Sequence, residues 1–168
     1  MKNYLLFTLA FLLLFSCKKN TTDPDANTPI PKDTEIYLTV IKEITDKDDI
    51  RNCIQFSDNR DSLVSIPGHP EYFISKVNPG KKVIWMGPKE SKKESKKDIK
   101  IIEVNFKDTT GSTDILEAVK MKEKNGVVEG KVKMRGANDI FSNEFYSIIF
   151  SVDGVEYSID PVIQLHNY

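Results

Sequence analysis

Residues 143–160 read NEFYSIIFSVDGVEYSID, and this stretch decides the fold. Asp153-Gly154 is a two-residue turn of the kind that needs positive φ at both positions, so the flanking segments must fold back on each other as a hairpin. The turn fixes the register: Val152 faces Val155, Phe150 faces Tyr157 and Ile148 faces Ile159. That is an apolar face with two aromatics opposed, the cross-strand pairing that stabilises a sheet.

The same pattern recurs along the chain. In LEAVKMKEKNGVVEGKVKM (residues 116–134) the Asn125-Gly126 pair predicts a second hairpin, with Lys124 opposite Val127, Lys122 opposite Glu129 and Val119 opposite Val132. Val119, Met121, Val128, Val132 and Met134 would then share a dry face. Lys120, Lys122, Lys124, Glu129, Lys131 and Lys133 would share a wet one. Upstream, Ile36, Leu38 and Val40 alternate with Tyr37, Thr39 and Ile41. YFISKVNPGKKVIWMG (72–87) reads as two strands around Asn78-Pro79-Gly80, and IKIIEVNFK (99–107) places Ile102, Val104 and Phe106 on one face. TDKDDIRNCIQF (45–56) reads either as a strand or as a short helix with a Thr45–Asp48 capping box. Pro161 lacks an N–H, so the final strand, Val162 to Leu165, is expected to begin at an unpaired or edge position. Seven to nine short strands over residues 36–168 predict one all-β domain, an antiparallel sandwich.

The first 35 residues differ in kind. Lys2 is followed by an apolar run from Tyr4 to Phe15, short of the roughly 20 residues a membrane-spanning helix needs. A basic start and a run of this length describe a secretory signal over residues 1–16. Leu14-Phe15-Ser16-Cys17 resembles a bacterial lipobox, with Leu three before the cysteine and a small residue directly before it. The resemblance implies that Cys17 becomes the mature N-terminus and carries acyl chains. It also implies an outer-membrane location in a Gram-negative envelope, since Lys18 is not the Asp that retains some lipoproteins at the inner membrane. Two or more chains hold a protein to a bilayer where one holds only marginally. Residues 17–35, KKNTTDPDANTPIPKDTE after the cysteine, are too polar to offset their chain entropy and are expected to form a disordered tether.

VNPGKKVIWMG with the later YSIIFSV and DPVIQL resembles the cupredoxin-like and immunoglobulin-like sandwiches of bacterial envelopes. The resemblance implies a Greek-key arrangement. A blue-copper site needs two His, a Cys and usually a Met, and in that family three of them cluster in the last loop. SVDGVEYSIDP holds none of them.

The chain has 168 residues with 24 basic and 25 acidic side chains. A formal net charge of −1 supplies no field that would gather nucleic acid. Its two histidines, His69 in PGHPEY and His166 near the end, lack zinc-ligand spacing and read as solvated loop and loose terminal residues. Cys53, without an intramolecular partner once Cys17 is acylated, reads as a small buried hydrophobe. Asp46, Asp48 and Asp49 lack the Gly and closing Glu of a calcium loop. Serine-nucleophile motifs are absent as well, so no catalytic residue, metal or cofactor is expected.

One insertion stands out. Residues 81–100 hold eight lysines against Glu90, Glu94 and Asp98, and repeat Glu-Ser-Lys-Lys. Lys89, Lys92, Lys93, Lys96 and Lys97 are the candidate contacts with anionic lipid, lipopolysaccharide phosphate or polysaccharide. The sequence therefore points to a lipid-anchored envelope protein with a non-enzymatic binding, adhesion or assembly module. The alternative is a copper-handling accessory protein using His69, Met86 or Cys53.

Overall fold

A computed structural model describes residues 30–60, 62–88, 97–106, 115–134 and 142–166. Among them lie ten strands: β1 (Thr34–Val40), β2 (Ile54–Asp58), β3 (Ile74–Val77), β4 (Lys82–Met86), β5 (Ile99–Phe106), β6 (Lys120–Lys122), β7 (Val127–Lys131), β8 (Asn143–Val152), β9 (Val155–Ile159) and β10 (Val162–Leu165). One sheet runs β2-β1-β4-β7. The other runs β3-β10-β8-β5-β6, with β9 paired to the far half of β8. The fold is an all-β sandwich of two mixed sheets: β1 with β4 and β10 with β3 are parallel, and the other pairings are antiparallel.

Alternation builds the core. Ile36, Leu38 and Val40 point inward from β1, Ile54 and Phe56 from β2, and Val83 and Trp85 from β4. Tyr146, Ile148, Phe150 and Val152 meet them from β8. Phe56 stacks on Phe73 with ring centroids 5.7 Å apart, and the Tyr146 ring meets Trp85 edge-on at 5.6 Å. Such aromatics supply the largest buried areas in a core of this size.

The hairpin at Asp153-Gly154 forms in the expected register, with φ of 50° and 87° at its turn. The other hairpin does not hold together. Asn125 and Gly126 have φ of 58° and 85°, and Lys124 bridges Val127. Beyond that pair the arms part: β6 joins β5 in one sheet, and β7 joins β4 in the other. Glu129 consequently stands opposite Ile84 rather than Lys122, and Val132 bridges Leu116 rather than Val119. The expected dry face survives in Met121, Val128 and Val132, whereas Met134 is exposed.

Four further expectations are changed or resolved. A bulge between Ile101 and Glu103 turns Ile101 into the core and leaves Ile102 half-buried, because one extra residue flips the side-chain parity. β10 is interior, flanked by β3 and β8, and Pro161 stands just before it, where its carbonyl accepts from Tyr146 N–H and no donor is required. Residues 45–56 contain both alternatives, a 3₁₀ turn at Ile50–Asn52 followed by β2. The two strands around Asn78-Pro79-Gly80 belong to different sheets, so that turn is a crossover.

Candidate functional site

Cys17, Lys89, Lys92, Lys93 and Lys96 lie outside the described residues. Lys97 is described, and it is engaged. Its Nζ lies 2.8 Å from Asp153 Oδ2, which raises the lysine pKa and lowers that of the carboxyl through their shared hydrogen bond. Asp153 N–H donates to Asp98 O, and Asp98 N–H to Asp153 Oδ1. Lys100 pairs with Asp98 at 2.8 Å. Lys97 thus fastens the β8–β9 turn, and Asp153 offsets one of the positive charges expected of this segment.

The residues considered for metal are not brought together. Cys53 is fully buried, its Sγ near the carbonyls of Glu43 and Asp49, and burial pushes its thiol pKa up, away from the reactive thiolate. His69 is exposed and stacks parallel on Tyr72 at 5.2 Å. Met86 lies on β4 between Tyr37 and Val127. His166 is not loose: its N–H donates to Val77 O, and its carbonyl accepts from Asn78 Nδ2 at 2.7 Å. Among the described residues no group of three His, Cys, Asp or Glu side chains is arranged to hold a metal ion.

Asp48 and Asp49 of the acidic run are spent on local structure. Asp48 accepts from Lys42 Nζ at 2.6 Å and from both the N–H and hydroxyl of Thr45, which together pull its pKa down to about 2. Asp49 caps the 3₁₀ turn by accepting from Arg51 N–H, and it also holds the Arg51 guanidinium. Only half of the Thr45–Asp48 box forms: Asp48 Oδ2 accepts from Thr45 N–H, but Asp48 N–H donates to the Thr45 carbonyl rather than to its hydroxyl, closing a turn rather than a helix.

Two features have no clear signal in the sequence. One is an open cleft of about 440 Å³ lined by Asp49, Ile50, Arg51, Glu71, Ser158, Ile159 and Asp160. Asp49 holds the Arg51 guanidinium there, Glu71 Oε1 lies 3.4 Å from His69 Nδ1, and Glu71 Oε2 is shielded from solvent without a hydrogen-bond partner. The other is the outer edge of β9, which leads into that cleft. Val152 and Val155 flank a two-residue turn and so exchange hydrogen bonds, as do Phe150 with Tyr157 and Ile148 with Ile159. Glu156 and Ser158 therefore aim their N–H and C=O away from β8. Both residues are exposed, and among the described residues no hydrogen bond reaches those backbone groups. The turn predicts this parity. Which side of β9 stays bare depends on the whole topology.

No family model matches the chain, and no curated protein matches its sequence.

Proposed function

We propose that the chain is a lipid-anchored protein of a bacterial cell envelope whose β-sandwich is a non-enzymatic binding or assembly module. The observation that carries this reading is the segment Leu14-Phe15-Ser16-Cys17, set directly after a basic start and an apolar run too short to span a bilayer. The spacing downstream of the thiol supports it: β1 begins at Thr34, so a polar stretch separates Cys17 from the sandwich. Among the described residues no helix is long and apolar enough to cross a membrane. The acyl chains on Cys17 would be the attachment, each buried CH₂ contributing roughly 0.8 kcal/mol.

Replacing Cys17 tests the anchor. Cys17→Ser is expected to move the chain from the membrane fraction to the soluble fraction and to abolish incorporation of labelled palmitate. A variant that stays membrane-bound, with residues 1–16 still attached, refutes the reading.

A further inference from the structure

We propose that the β9 edge and the cleft at its end form a docking site for an extended peptide strand carrying a lysine or arginine side chain. This deepens the binding role proposed above and rests on it. Strand addition to a sheet edge draws affinity from main-chain hydrogen bonds and specificity from pockets that take alternate side chains. Both parts are present. Glu156 and Ser158 offer two N–H and two C=O groups in line on one exposed edge, the complement of an antiparallel strand. Just past Ser158, the side chain of the incoming strand meets the cleft formed by Ser158–Asp160, the 3₁₀ turn and Glu71.

Charge names the occupant. The cleft is lined by Asp49, Glu71 and Asp160 with Arg51; Asp49 and Arg51 pair with each other, and Glu71 and, along the edge, Glu156 add acidic groups. A cationic side chain entering it would approach Glu71, whose Oε1 lies 3.4 Å from His69 Nδ1. A second copy fits less well. Two-fold pairing of β9 with itself about Tyr157 sets Glu156 opposite Ser158 of the other copy. The two Glu156 positions then lie diagonally on one face, about 7–8 Å apart, where their carboxylates repel.

The test uses the full chain in detergent micelles and a capped peptide, Thr-Lys-Val-Lys-Thr-Val. Its controls are the version with Glu for Lys and one with alternate backbone nitrogens methylated. Saturable one-to-one binding is expected, with amide NMR shifts at Glu156 and Ser158 and their hydrogen exchange slowed at least 10-fold. Ser158→Pro removes an edge N–H that β8 does not use, a position where proline is tolerated, and should abolish binding. Glu71→Lys should weaken it at least 10-fold. The methylated peptide poses the same question without altering the protein, so a misfolded proline variant leaves the idea falsifiable. Equal binding of the methylated or Glu peptide overturns the proposal, as does no binding at millimolar peptide. Concentration-dependent shifts at Glu156 and Ser158 without peptide would identify a second copy as the occupant and overturn it too. Membrane retention through Cys17 is scored separately, so a chain that stays anchored but ignores the peptide sinks only the edge.

Discussion

Gly130→Ala tests the least expected feature of the fold, the parting of β6 and β7 into opposite sheets. Gly130 is buried in β7 opposite Val83, and its φ is not positive, so alanine meets no backbone penalty. The obstacle is space. A Cβ there would lie 2.6 Å from Met121 Sδ, 3.1 Å from Leu116 Cδ1 and 3.3 Å from Trp85 Cζ3, whereas carbon atoms prefer roughly 3.5–4.0 Å. Met121 has a flexible end that can swing. Leu116 and Trp85 are fully buried and have nowhere to go. Overpacking of this kind costs about 1–3 kcal/mol, and loss of glycine's freedom in the unfolded chain returns about 0.5–1 kcal/mol. The net expectation is a loss of about 1–2 kcal/mol. With a urea m-value of about 1–3 kcal/mol/M, that lowers the midpoint by roughly 0.3–2 M at unchanged m. Repeating the change in a Met121→Ala background should recover part of the loss, since residues in contact couple. A stabilised Gly130→Ala protein, or the same loss in both backgrounds, refutes the packing of β7 against Met121.

Gly126→Val addresses the turn itself. A Cβ at Gly126 would meet nothing within 4 Å, so the whole cost comes from φ of 85° in a β-branched residue. More than about 1 kcal/mol should be lost, and an unchanged denaturation midpoint would contradict the turn. Asp48 predicts a pH dependence. Its folded pKa is depressed to about 2 from an ordinary value of 3.8, mainly by the hydrogen bonds from Lys42 and Thr45. The stabilisation it contributes is therefore complete above pH 4 and is lost as pH falls through 2. Asp48→Asn should flatten the stability profile between pH 4 and 2, and parallel profiles for the two proteins would show that the carboxylate is not held as described.

Local chemistry was readable in the sequence to the extent that it acts locally. Asp153-Gly154 dictates its own hairpin because both arms stay in one sheet, so the register counted from the turn is the register found. Asn125-Gly126 dictates its turn equally well, but not the fate of its arms. β4 offers Val83 and Trp85 beside Gly130 and Val128, and β5 offers Val104 beside Met121, so each arm finds a different partner sheet. That competition is between distant segments, and turn chemistry has no access to it. The Ile101–Glu103 bulge is hidden for a related reason: the consecutive Ile101 and Ile102 satisfy either parity, and only packing against β8 chooses. Of the candidate site residues, Lys97 was read by its charge alone. Its partner Asp153 is 56 positions away, and their pairing depends on where β5 runs beside β8.

The bare edge of β9 gains its meaning from how the other edges are treated. β2 is the end strand of its sheet, yet Ser65 closes it, donating its N–H to Phe56 O while its hydroxyl accepts from Phe56 N–H at 2.7 Å. β7 ends the same sheet on the other side and is closed by backbone: Glu117 N–H bonds Lys131 O, and Lys133 N–H bonds Ile115 O, each at 2.9 Å. β3 has the Thr34 hydroxyl on Lys76 O at 2.9 Å. β6 is only three residues long and carries exposed Lys120 and Lys122, while the turn into β7 crosses its end. Short length and lysine are the usual guards against unwanted strand pairing. β9 has five residues, no lysine and a single exposed carboxylate, so its guard acts only against partners that are themselves acidic there. Selective protection of this kind discourages self-pairing and leaves the edge available to a basic strand.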